Sequence, residues 1–351
     1  MTKFIFRWML LLFLVTIPLQ AQGRTIVINL GTSAPEGTPW HDILLQIKQD
    51  WNRISSGQVV LRIYPSGVQG DENTMMRKMR IGQLQAVAVS GNGLYFIEPD
   101  ITCLIIPLIF DSYQELDYVL DQMAPQLEGM FEGKGYKILN WADAGWIRFF
   151  TKRPASTLDD IREMKLHIAP GDPVTEELYK EFGFRVVPLP YTEVLTALQT
   201  GLIDAVMGPP LYVMLEQWFG LATYMTEVKW APLVGATVLS NRAWERIPAS
   251  MRPQLLEAAH TAGERLLPEI RKLNEEAVPA MTKRGLKVVH PDAAALSGWL
   301  SEAKEAYPKL RGRYVTADLF DQVERLRNEF RSQGTRQADP SSNPNQRSSS
   351  Q

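Results

Sequence analysis

The chain holds a single cysteine, Cys103, in 351 residues, which excludes an internal disulfide. Its place in the apolar stretch 101–107 reads as a small buried hydrophobe. Net charge is scarce too. Lys and Arg number 37 against 39 Asp and Glu, leaving −2, so no basic excess speaks for nucleic acid. Histidine is rare, and His41, His167, His260 and His290 lack metal-ligand spacing, so neither a structural nor a catalytic metal is expected. Gly91-Asn92-Gly93 is not followed by the third glycine of a dinucleotide loop. Neither a Walker sequence nor a Gly-x-Ser-x-Gly elbow is found, and no cofactor is expected. The longest apolar run at the start, 8–17, falls short of the roughly 20 residues of a comfortable membrane span.

What is present is a globular composition, 45% hydrophobic and 22% charged, enough for one large or two medium domains. Residues 1–22 have the form of a secretory signal. Lys3 and Arg7 precede the apolar run, Pro18 breaks it, and Leu19-Gln20-Ala21 offers a cleavage site. Its removal takes Lys3 and Arg7 with it and moves the net charge from −2 to −4. An uncleaved N-terminal anchor is the competing reading of the same pattern, and no cysteine follows the cut to carry a lipid. From 332 the composition turns to Ser, Gln, Asn and Pro without apolar periodicity, so 332–351 is expected to be a disordered tail.

Between these ends the periodicities alternate. Strands are expected at 25–30, 59–64 and 86–89, with helices at 40–54 and 71–81 between them. The same β-α-β-α-β order returns later. Strand 165–169 ends at Pro170-Gly171, a helix opens at Pro173 and stops at Gly183, and strand 186–189 follows. A helix from Thr192-Glu193 carries Val194, Leu195, Leu198 and Leu202 on one face, and strand 203–207 closes the unit. Such units pair their strands in parallel with right-handed crossovers, and ligands bind beyond the carboxyl ends of the strands. Two similar units suggest two lobes facing a cleft, although any two βα units look alike at this length. Further strands are expected at 101–110, 136–141, 147–151, 232–240 and 287–290. Further helices are expected at 112–131, 211–221, 253–282 with a kink or break at Pro268, 292–304 and 317–331.

Several local motifs fall in one order along the chain. They include Asn29-Leu30-Gly31-Thr32-Ser33, Tyr64-Pro65-Ser66-Gly67-Val68-Gln69-Gly70-Asp71 and Ile106-Pro107-Leu108-Ile109-Phe110. Trp146-Ile147-Arg148-Phe149-Phe150-Thr151 and Met164-Lys165-Leu166-His167-Ile168 follow. The most specific is 188–204, with its Glu-Val-x-x-Ala-Leu-Gln-Thr-Gly-x-x-Asp core. On these motifs the chain resembles a periplasmic substrate-binding protein of a tripartite ATP-independent periplasmic (TRAP) transporter, of the dicarboxylate-binding (DctP) type. The resemblance implies an α/β, two-lobed periplasmic-binding-protein-like fold. Each lobe would be a mainly parallel sheet flanked by helices, with a long helix spanning both. Lobe one would comprise 23–145 plus 234–273, and lobe two 146–233 plus 274–331. It implies a periplasmic, monomeric, non-enzymatic protein that delivers one small organic ligand to the integral-membrane subunits of a TRAP permease.

Within the resemblance the chain departs at the anchor. Most members grip a solute carboxylate with an arginine where this chain has His167, and an asparagine there is Gly208 here. A guanidinium fork matches a carboxylate with two parallel bonds and stays charged, whereas imidazole is not reliably cationic at neutral pH. Losing such a bond is expected to weaken carboxylate binding by roughly 1.5–3 kcal/mol. Arg148, a second arginine of that site, remains, with Asp143 or Glu193 as its competing structural partners. Expected cleft residues are Asn29, Ala34, Glu72, Ser90, Trp146, Arg148, His167, Tyr191, Met207, Gly208 and Tyr212. Met207, Tyr191, Trp146 and Tyr212 would give adaptable apolar walls, so a more apolar or amphipathic ligand than a dicarboxylate is expected. The alternative is a hydrophobic-ligand or lipid-binding protein working with a tetratricopeptide-repeat partner. Trp40, Trp51 and Trp230 read as packing residues. An enzyme would need His167 with Glu72 or Asp172, an arrangement with no recognisable reaction signature.

Overall fold

A computed structural model describes residues 25–338 except residue 172. The expected signal, the end of the expected tail and Asp172 therefore lie outside the described residues. The chain opens with β1 (Ile26–Thr32), α1 (Pro39–Ile54), β2 (Val59–Tyr64), α2 (Glu72–Arg80) and β3 (Ala86–Ser90). Short α3 (Gly91–Tyr95), a 3-10 turn at Pro99–Leu104 and α4 (Tyr113–Gly133) lead to the long strand β4 (Tyr136–Thr151). Next come α5 (Leu158–Arg162), β5 (Lys165–Ile168), α6 (Pro173–Glu181), β6 (Arg185–Pro188), α7 (Val194–Thr200), β7 (Ala205–Gly208) and α8 (Pro210–Leu215). The chain finishes with β8 (Tyr224–Ser240), α9 (Asn241–Trp244), α10 (Arg252–Thr282), β9 (Lys287–Val289), α11 (Ala293–Leu310) and α12 (Ala317–Ala338).

Local chemistry sets these starts and stops. Thr38 caps α1 by accepting from His41 N, with Pro39 in the first turn, and Asp71 caps α2 by accepting from Thr74 N at 2.7 Å. α7 stops at Gly201, whose φ of 73° only glycine adopts freely.

The strands run β2-β1-β3-β8-β4-β7-β5-β6, with β9 alongside β8. The outer triplets, β2-β1-β3 and β6-β5-β7, are each parallel and order their strands second, first, third. Antiparallel β8 and β4 join them, so the two parallel groups share one mixed sheet. The helix α10 lies against α1 in the first half and against β4 and α8 beyond it. Separate apolar clusters fill the halves: Ile28, Leu30, Ile47 and Trp51 among others in one, Val194, Leu198, Ile203 and Val206 in the other.

Several expected elements take another form. The run 101–110 is no strand; it coils through the 3-10 turn between Pro99 and Pro107 and buries Ile101, Cys103, Leu104 and Ile106 in the core. Apolarity marked burial there, and the flanking prolines cannot donate to a ladder. The strands expected at 136–141 and 147–151 are one, because a register shift between Asp143 and Trp146, with Gly145 at φ 111°, absorbs the intervening residues. β8 likewise starts earlier than expected. α10 runs unbroken through Pro268, since Leu255, Ala259 and Ala262 before it and Ile270, Ala277 and Met281 after it are all buried. Local packing thus outweighs the one hydrogen bond the ring removes. The helix expected at 211–221 ends at Leu215 and gives way to a 3-10 turn, Trp218–Gly220, after Gln217 at φ 58°. α11 passes Pro308 to reach Leu310, and α12 continues to Ala338, into the segment expected to be disordered.

Candidate functional site

The carboxyl ends of the outer triplets meet over the middle of β4 and β8. There lies a cavity of about 140 Å³. From β1 and the loop after it come Thr32, Ser33 and Ala34; from β3, Ala88, Val89 and Ser90; from the β7 end, Met207, Gly208 and Pro209. β4 contributes Asn140, Ala142, Asp143 and Ala144, and β8 contributes Leu233–Thr237. Trp40, Ile43 and Leu44 of α1, with Glu72, Tyr191 and Tyr212, complete the wall. Gly235 is required at its position, since a Cβ there would meet Val89 O at 2.6 Å.

Glu72, at the first turn of α2, is the polar centre of this wall. Its carboxylate accepts from Ser90 N and Ser90 Oγ, each at 2.8 Å, and from Ser33 Oγ at 3.4 Å. Burial pushes its pKa upward against these donors. Asp143 is also buried, and burial raises its pKa although Arg271 works against the shift. Arg271 Nη2 reaches Asp143 Oδ2 at 2.7 Å, and Arg271 Nη1 reaches Asp117 Oδ2 at 2.7 Å. Asn274 of α10 adds a second clamp, donating to Ala144 O at 2.8 Å and accepting from Leu211 N at 3.0 Å. The aromatic side consists of Trp40 against Tyr212 at 6.3 Å and Tyr212 edge-on to Tyr191 at 6.0 Å. Burial raises the pKa of both tyrosines, which stay neutral donors and acceptors at working pH. Asn92 of the first half donates to Tyr191 Oη at 3.4 Å.

A second cavity of about 170 Å³ lies between α3, the loop before α4, the β5–α6 region, β8 and α11. Phe96, Ile105, Ile147, Leu178, Phe182, Phe184 and Trp230 make it mostly apolar. It shares Tyr191, Met207, Gly208 and Leu233 with the first cavity. His167 belongs to this second wall. It is 2% exposed, its Nε2 lies 2.8 Å from Leu189 O, and its ring packs on Tyr191 and Trp218. A carbonyl only accepts, so Nε2 carries the proton. Burial lowers the imidazole pKa to about 4, so the ring is neutral at pH 7.

The structure thus gathers Ala34, Glu72, Ser90, Tyr191, Met207, Gly208 and Tyr212 about one cavity, and puts His167 beside Tyr191, Met207 and Gly208 in the other. Asn29, Trp146 and Arg148 line neither. Asn29 N donates to Gln85 Oε1. Trp146 packs on Tyr113 at 5.3 Å and under Lys229. Arg148 pairs with Glu227, Nη1 to Oε1 at 2.8 Å, rather than with Asp143 or Glu193, and burial lowers its pKa. Trp40 and Trp230, read as packing residues, line the first and second cavities respectively. Asn140 and Asp143 were not expected in the wall either; a polar residue inside an apolar strand is the only sequence signal they carry.

Comparison with known proteins bears on the same region. The family described as bacterial extracellular solute-binding protein, family 7, matches residues 30–312. The 2,3-diketo-L-gulonate-binding periplasmic protein of Escherichia coli K12 is 23% identical over 67% of this chain and 72% of its own. The C4-dicarboxylate-binding periplasmic protein of Rhodobacter capsulatus is 23% identical over 77% of this chain and 81% of its own. Among solved structures, the sugar acid binding protein of Advenella mimigardefordensis in complex with galactonate superposes with a TM-score of 0.81. It is 19% identical over 87% of this chain and 99% of its own, a likeness in fold.

Proposed function

Because the chain belongs to the family 7 bacterial extracellular solute-binding proteins, a family of transport proteins rather than enzymes, we propose that it captures one small organic solute between its halves in the periplasm. It then hands the solute to the integral-membrane subunits of a TRAP-type permease. The cargo of this chain is more apolar than a dicarboxylate. One observation carries that reading: among the described residues, no Lys, Arg or His lines the first cavity, whereas two carboxylates, Glu72 and Asp143, do. In the second cavity Arg162 is held at Nε by Phe182 O, at Nη1 by Asp159 and at Nη2 by Glu302, and His167 is neutral. A dicarboxylate would enter without a counter-charge, and a buried unpaired charge costs several kcal/mol.

The strand-end position of the cavity favours capture by approach of the two halves. Asn92 to Tyr191 is already a contact across them, and the Arg271 and Asn274 clusters hold α10 to the crossover of β4. Native mass spectrometry of the exported protein tests capture. The expected result is one small organic molecule per chain, released on denaturation; protein that leaves the periplasm empty and binds nothing from a periplasmic extract overturns it. Crosslinking in membranes that carry the permease subunits tests delivery, and capture of a tetratricopeptide-repeat protein in their place would reassign the partner.

A further inference from the structure

The two cavities adjoin at four shared wall residues, Tyr191, Met207, Gly208 and Leu233, of which Met207 has the most flexible side chain. Met207 is unbranched and half-buried; it packs on the apolar cluster that includes Phe149, Phe184 and Trp230, and its sulfur accepts from Tyr179 Oη at 3.6 Å. An unbranched thioether adapts its rotamer at little cost, so one ligand could reach both cavities past it. The compartments differ in chemistry. In the first, Asn140 is 3% exposed and its Oδ1 has no partner, and Trp40 Nε1 is buried without an acceptor. Buried polar atoms left unpaired are costly, and of those among the described residues these two belong to side chains that line the first cavity, where a group offering both a donor and an acceptor would satisfy them. A carboxylate offers no donor to Asn140. The second compartment, at about 170 Å³, is close to the roughly 150 Å³ at which an apolar cavity holds a benzene ring.

We propose that the cargo is a two-part molecule, with an uncharged head bearing a donor and an acceptor between Trp40 and Asn140 and a ring-sized apolar group beyond Met207 among Phe182, Phe184 and Trp230. This rests on the capture reading above and names the class of solute that the same cleft selects. Carbon–hydrogen surface entering the second compartment supplies affinity, and the head fixes orientation.

The test uses the mature chain, unfolded and refolded to strip cargo, with 3-phenylpropanamide, propanamide, toluene and succinate as calorimetric probes. 3-Phenylpropanamide is expected to bind at least tenfold more tightly than propanamide or toluene, and succinate more weakly than all three. Ala306→Phe and Ala169→Leu fill the second compartment from opposite sides; either one that folds should lower 3-phenylpropanamide affinity to that of propanamide. Equal affinity for the two amides, an unchanged affinity in the filled variant, or tighter succinate binding overturns the proposal. None of these results touches the capture reading, which fails only if the exported protein carries and binds no solute.

Discussion

The two β-α-β-α-β units arrange their strands alike, yet they bring opposite chemistry to the cleft. β2-β1-β3 ends in hydroxyls and a carboxylate, with Ser33, Ser90 and Glu72 tied to one another. β6-β5-β7 ends in rings and a thioether: His167, Tyr191, Met207 and, just beyond, Tyr212. The ladders differ too. β1 and β2 pair over six residues from Ile26 to Gly31, while β5 and β6 pair over four. One half presents a hydrogen-bonded platform, and the other a mainly aromatic cover. The two copies thus share the placement of their strand ends at the cavity and differ in the side chains those ends present.

The ion-paired clamp between α10, α4 and β4 gives the largest effect. Arg271→Ala leaves Asp143, 4% exposed at its side chain, as an uncompensated buried charge, and should destabilise by about 3–5 kcal/mol in urea unfolding. A loss below 1 kcal/mol would show that the packing of α10 on α4 and β4 does not depend on that clamp.

The cover should be acid-sensitive in a defined window. His167 has its pKa lowered from 6.5 to about 4, so between those values the unfolded chain takes up a proton that the folded chain refuses. Stability is therefore lost as pH falls from 6.5 towards 4, by up to about 3 kcal/mol. His167→Phe should flatten that stretch of the stability–pH curve relative to wild type. A variant with the wild-type slope would contradict a buried neutral imidazole.

On the platform, Glu72→Ala leaves Ser90 N–H and Oγ without their acceptor and should cost about 1–3 kcal/mol, with Glu72→Gln retaining part of it. Equal losses in the two variants would mean that packing rather than hydrogen bonding holds the platform. The smallest effect is Tyr212→Phe, expected to move stability by less than about 0.5 kcal/mol because the ring contacts with Trp40, Tyr191 and Trp218 persist.

Both repeated units were legible in the sequence because their signals are local. Apolar spacing, the Asp71 and Thr38 caps and the Gly201 stop each act within a few residues. β4 and β8 were read short because their length depends on a partner far away in sequence and on a bulge at Asp143–Trp146. The cleft divided in the same way. Met207 stands near a strand end, and Glu72, Tyr191 and Tyr212 in the first turns of the helices that follow strands, where the topology favours a ligand site. Arg148 lies within β4, and nothing local told that Glu227 on the neighbouring strand would take it. Trp40 was assigned to packing because a helical periodicity reports that a face is covered, not whether protein or cargo covers it.

Mass spectrometry of whatever the denatured, freshly exported protein releases bears most directly on the cleft chemistry. The expected release is one stoichiometric organic molecule that lacks a pair of carboxylates. A C4 dicarboxylate recovered at full occupancy would contradict it.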